Sequence, residues 1–138
     1  MTAFEYEEGI RSFDTMSEED ILYFRPIHWQ IQFLWNYRFY FDLLKFIKGL
    51  GVNPLDYVIR LIESIGKSAP EVKNIFSDFN QEAISEWFDS PQSLRDYNLN
   101  PRNFKALEGG LYGKLNGMYI FRIMLESKDL FLDHMLKT

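Results

Sequence analysis

The 138 residues contain no cysteine. That excludes disulfides, a thiolate nucleophile, thiolate zinc sites and iron–sulfur ligation by this chain. It also fits a cytoplasmic protein, where structural disulfides are rare. Histidine is scarce as well. His28 and His134 are far apart, and neither has a second His, a Cys or a carboxylate at metal-ligand spacing. No metal is expected. A basic excess is missing too: 20 acids against 15 bases give a net charge of −5. Residues 1–20 hold seven of those acids and a single base, a net of −6, which leaves the rest of the chain close to neutral. Nucleic-acid binding is driven by phosphate neutralisation, so this balance argues against it.

Several other signatures are absent. The start "MTAFEYEEGIRSF" has no basic lead into an apolar run, so no signal peptide is expected. Gly66-Lys67-Ser68 ends like a phosphate-binding loop, yet the position needing the first glycine is Leu61. The carboxylate pairs Glu82/Glu86 and Asp129/Asp133 lack the Glu-x-x-His partners of a di-metal bundle and are read as solvated acidic faces. No serine sits in a nucleophile-elbow pattern.

What the chain does have is rings. Aromatic residues make up 17% of it, and "HWQIQFLWNYRFYFDLLKFI", residues 28–47, holds eight of them. Placed on a helical wheel, 27–48 is apolar in nearly every direction, as expected of a buried helix. A membrane span is excluded by Arg38, Asp42 and Lys45, each costing about 2.5–3.5 kcal/mol near a bilayer centre. Two readings remain: a core post, or a wall of rings around a planar ligand. In the second, His28, Trp35, Asn36, Arg38 and Asp42 are the candidate contacts. Arg38 and Asp42 have the i,i+4 spacing of an ion pair.

Proline supplies the punctuation. Pro54, Pro70, Pro91 and Pro101 follow Asn53, Ala69, Ser90 and Asn100, and proline is tolerated in a first helical turn. Ser17 is a cap followed by three acids, and Ser68 with Glu71 has capping-box spacing. The pattern predicts helices over 17–24, 27–48, 54–65, 70–78, 80–89, 91–97, 101–108, 111–126 and 128–136. "MYIFRIML" reads as helix rather than strand. Gly109, Gly113 and Gly117 stand four apart, which suits close approach of a second helix, with Gly109 also serving as a stop. His134 reads as a surface residue in a last turn. The fold class is therefore all-α: short helices packed around a central aromatic helix, about 27–48. Residues 1–16 form an acidic arm or linker and 17–138 a single domain.

"IQFLWNYRFYFDLLKFI", "GVNPLDYVIRLIES" and "KLNGMYIFRIML", in that order, resemble the helical C-terminal region of the large bacterial radical SAM proteins that also bind cobalamin, the Fe–S oxidoreductases. The resemblance covers about residues 17–138 and implies a non-catalytic accessory module. Its partner would be an upstream catalytic domain carrying the iron–sulfur cluster, S-adenosylmethionine and cobalamin. The family's three-cysteine motif and cobalamin-ligand histidine motif are absent here, so the resemblance assigns no site residue. The alternative is a stand-alone helical ligand-binding or regulatory protein. An accessory module should expose a contiguous apolar patch. A ligand binder should present a concave aromatic pocket with convergent polar groups.

Overall fold

Helix starts follow the local chemistry of the sequence. In a computed structural model, which describes residues 8–109 and 114–138, Ser17 caps helix α1 (Glu18–Ile31) and forms a reciprocal capping box with Asp20. The Ser17 hydroxyl, and then the Ser17 amide, donate to the Asp20 carboxylate and hold it below the usual carboxylate range. Asn53 caps α3 (Pro54–Glu63), Ser90 caps α5 (Pro91–Leu99) and Asn100 caps α6 (Pro101–Glu108), each with proline in the first turn. The box expected at Ser68 does not form. Its hydroxyl donates backward to the Ile65 carbonyl at 2.7 Å, closing the 3-10 turn Ile65–Lys67, and α4 (Pro70–Ser85) starts without a side-chain cap.

The all-helical class holds, and among the described residues the only bridge pairing outside helices is Phe13 with Met16. Two expected boundaries disappear. α1 runs through Pro26, although a proline there removes a hydrogen bond at a cost of about 3 kcal/mol. Burial of Pro26, Ile27 and Trp29 offsets that cost. α4 runs through 78–80 because Val72, Ile75, Phe76, Phe79 and Ala83 all bury along one helical face.

The aromatic stretch 27–48 differs most from expectation, because it is not one helix. After Ile31 the chain widens into a π turn, Gln32–Asn36, sealed by the Tyr37 amide donating to the Gln32 carbonyl at 2.9 Å. Arg38 and Tyr40 then take left-handed backbone, both at φ 60°, before α2 (Phe41–Gly49) begins. The chain thus turns in the middle of its ring-rich run.

The core forms where α1 crosses α4. Trp29 stacks on Phe79 with centroids 4.1 Å apart and meets Phe76 at 4.8 Å and Tyr119 at 6.0 Å. Tyr119 lies on α7 (Leu115–Glu126), the "MYIFRIML" segment, which is helical as expected. A second cluster joins Phe33 to Phe131 of α8 (Lys128–Lys137) at 5.7 Å and to Tyr40 at 6.0 Å. α3 also packs on α1, and α2 lies against α3.

The periphery is thinner. α5 and α6 pack on each other and contribute no residue to the hydrophobic core. Gly9 lies so close to Trp87 that an added Cβ would stand 2.8 Å from its ring, and Arg11 bridges Glu18 and Asp89. Gly117 does not mark a helix contact: a Cβ there would meet nothing within 4 Å. Gly109 ends α6, and Gly113 lies outside the described residues.

Stability should separate the two halves of the aromatic run. Trp29 is fully buried and Trp35 is 41% exposed. In denaturant unfolding, Trp29→Ala should cost about 3–5 kcal/mol. Trp35→Ala should cost less than about 1 kcal/mol, as for a surface substitution. Equal losses would contradict the turn at residues 37–40.

Candidate functional site

The turn at 37–40 creates an open groove. α1 and the π turn supply Ile31 and Trp35, α2 supplies Leu44, the following loop Val52, and α3 Leu55 and Val58. The groove encloses about 690 Å³. Only two side chains in its lining carry strong polar groups. The Asn53 oxygen is committed to capping α3, accepting from the Leu55 amide at 2.9 Å. Lys48 is the other. It makes no ion pair among the described residues.

One wall is aromatic and basic. Trp35 meets Phe41 edge to face at 5.1 Å. The Phe41 ring carries two cations, the Arg38 guanidinium at 5.3 Å and the Lys45 ammonium at 5.1 Å. Such contacts contribute about 0.5–1 kcal/mol each at exposed sites. Lys45 also donates to Asp42 at 2.8 Å, and that hydrogen bond holds the Asp42 carboxyl below its usual range.

The five residues singled out from sequence are all exposed, and they do not converge. Trp35 lines the groove, while Arg38 and Asp42 gather around Phe41 and Lys45 beside it. Asp42 takes Lys45 as its partner instead of Arg38, because the left-handed turn removes Arg38 from the helical register an i,i+4 pair requires. Asn36 ends the π turn, and His28 sits one turn before Ile31; neither lines the groove. The sequence reading missed Lys48, Val52, Leu55 and Val58. Val52 was the available signal, an apolar residue in a "GVNP" turn where polar residues usually stand.

A second constellation joins His134 to Ser64 and ties two helices together. His134 is buried, contrary to its expected surface place, because α8 turns its last turns inward against α3. Its Nε2 lies 3.2 Å from the Leu61 carbonyl and 3.3 Å from Ser64 Oγ. The Ser64 hydroxyl donates to the same Leu61 carbonyl at 3.1 Å, so both side chains gather on one backbone acceptor. The cluster ties α8 to α3, as does the Tyr57 hydroxyl, which donates to the Met135 carbonyl at 2.7 Å. Burial pushes that phenol up to about 12. Three of the four acids in the acidic pairs are similarly occupied: Glu82 accepts from Tyr119, Glu86 pairs with Arg25, and Asp133 with Lys137. No group of three metal-ligating side chains occurs among the described residues. Nor is any of their helices long and apolar enough to cross a membrane.

Comparison with protein-family models, with curated proteins and with solved structures finds no match to this chain.

The basic wall should be measurable through Trp35. In a Trp87→Phe variant the remaining tryptophans are Trp29, fully buried, and Trp35. With each quencher scaled to its effect on free N-acetyltryptophanamide, iodide should quench Trp35 more strongly than caesium, because Arg38, Lys45 and Lys48 concentrate anions there. The difference should shrink in high concentrations of an inert salt. Stronger quenching by caesium would contradict the arrangement.

Proposed function

We propose that this chain is a non-catalytic helical interaction module that docks through the α1–α2–α3 groove onto a partner's apolar surface. Its partner, on this reading, is the catalytic body of a radical SAM Fe–S oxidoreductase, which supplies the iron–sulfur cluster, S-adenosylmethionine and cobalamin. The observation that carries the docking role is the imbalance of the groove's lining. Trp35, Val52 and Leu55 expose apolar surface along it, and its free side-chain polar groups are donors only: Lys48, the Asn53 amide NH2 and the Trp35 indole N–H. A small ligand is oriented by several convergent polar groups, which this surface lacks. Large exposed apolar patches mark protein contacts instead. The parentage rests on the resemblance in the order and texture of the three helical segments.

A stand-alone protein holding a ligand in an aromatic-lined pocket is the alternative. Trp35 and Phe41 favour it, yet they form an open wall rather than an enclosure.

Replacing Val52 with a benzophenone amino acid places a photo-crosslinker at the groove without disturbing a helix. Irradiation in the native host should join residue 52 to a polypeptide region carrying a three-cysteine iron–sulfur motif. Adducts with a protein lacking that motif would overturn the parentage and keep the docking role. No protein adduct would overturn the docking role.

A further inference from the structure

We infer that the element this groove receives is an acidic amphipathic helix of the partner. The inference rests on the docking reading above and adds the partner's secondary structure and the sign of its charge.

The argument for a helix concerns backbone hydrogen bonds. An extended segment added to a protein surface leaves its amides and carbonyls in need of partners, normally a sheet edge. No sheet exists among the described residues. Apart from the short loop 51–53, the groove's walls are helices whose backbone groups are paired within the helix, so they offer no ladder of backbone groups, only scattered side-chain donors at Lys48, Asn53 and Trp35. A polyproline segment keeps its backbone solvated and docks on rows of aromatic rings, whereas Trp35 is the one ring in this lining. A helix satisfies its own backbone and asks of the groove only apolar contact, which Trp35, Val52 and Leu55 provide above the half-buried Ile31 and the buried Leu44 and Val58.

The argument for acidity concerns charge. The chain as a whole is acidic, at −5, but this face departs from that average. No acid lines the groove. Lys48 lies within it without an ion-pair partner, and Arg38 and Lys45 stand over Phe41 on the adjoining wall. Asp42 is the only acid paired there, and both Asp42 and Lys45 are well exposed, so that pair is weak and exchangeable. A partner helix with apolar anchors at i, i+3 or i+4 and i+7, flanked by Glu or Asp, places carboxylates against three cations. A basic helix would meet repulsion on the same wall.

The test is selection from a displayed random library of about 16 residues, roughly four helical turns, on the full chain. Binders are counter-selected on Val52→Glu. Enriched peptides should show helical apolar spacing and net negative charge. Their affinity should fall about tenfold or more in Lys48→Glu and should weaken with salt. Val52→Glu and Lys48→Glu must keep wild-type circular dichroism, which their exposure allows. Helical apolar peptides that are neutral or basic would overturn the acidic partner while leaving the groove as the docking site. Extended or proline-rich peptides would overturn the helix. If counter-selection on Val52→Glu removes every binder, the docking reading itself fails. Trp35-dependent sedimentation with phosphatidylserine vesicles would overturn a protein partner in favour of an anionic membrane surface.

Discussion

Arg38 and Tyr40 hold left-handed backbone without being glycines, and the rest of the molecule depends on that pair. Such a conformation costs about 1–2 kcal/mol per residue. The cost is offset by what the turn delivers. Tyr40 places its ring 6.0 Å from Phe33 and 6.2 Å from Phe131, and Phe39 reaches Phe33 at 5.3 Å. The reversed segment therefore reinforces the core it has just left. In the same movement it turns Trp35 and Phe41 outward and lays α2 beside α3. A straight helix through 27–48 would leave no groove and would bury Arg38 or Asp42 on at least one side.

The two halves of the aromatic run thus do different physical work. Trp29 and Phe33 join α1 to α4, α7 and α8, where close ring contacts give more than their buried area alone. Trp35 and Phe41 form a surface wall with cations on it. The thin construction explains the division of labour. α5 and α6 add nothing to the core, so the remaining short helices rely on large rings to fill it. Docking specificity then falls to the side of α2 and α3 that the rings leave uncovered.

Local chemistry was legible in the sequence wherever it was self-contained. Ser17, Asn53, Ser90 and Asn100 announce helix starts because a cap and its amides lie within three residues. Ser68 was misread because its hydroxyl had two nearby uses, and the carbonyl behind it won. The gap expected between helices 17–24 and 27–48 does not occur, because propensity is local whereas the burial that carries α1 through Pro26 comes from α3 and α4. His134 went unrecognised for the same reason: its partners, Leu61 and Ser64, are about seventy residues away. The groove was only half visible. Trp35 and its charged neighbours drew notice, but the left-handed turn has no glycine or asparagine to signal it. Without that turn, Lys48, Val52 and Leu55 cannot be placed together.

The turn itself is the claim on which the account stands, and backbone nuclear Overhauser contacts in solution test it directly. Helical contacts between residues three apart should run unbroken to the π turn, fail across residues 37–40, and resume from Phe41. Arg38 and Tyr40 should each show the strong intraresidue amide-to-Hα contact of left-handed backbone. An unbroken helical series from Ile27 to Lys48 would contradict the account, because the groove and its basic wall would then not exist.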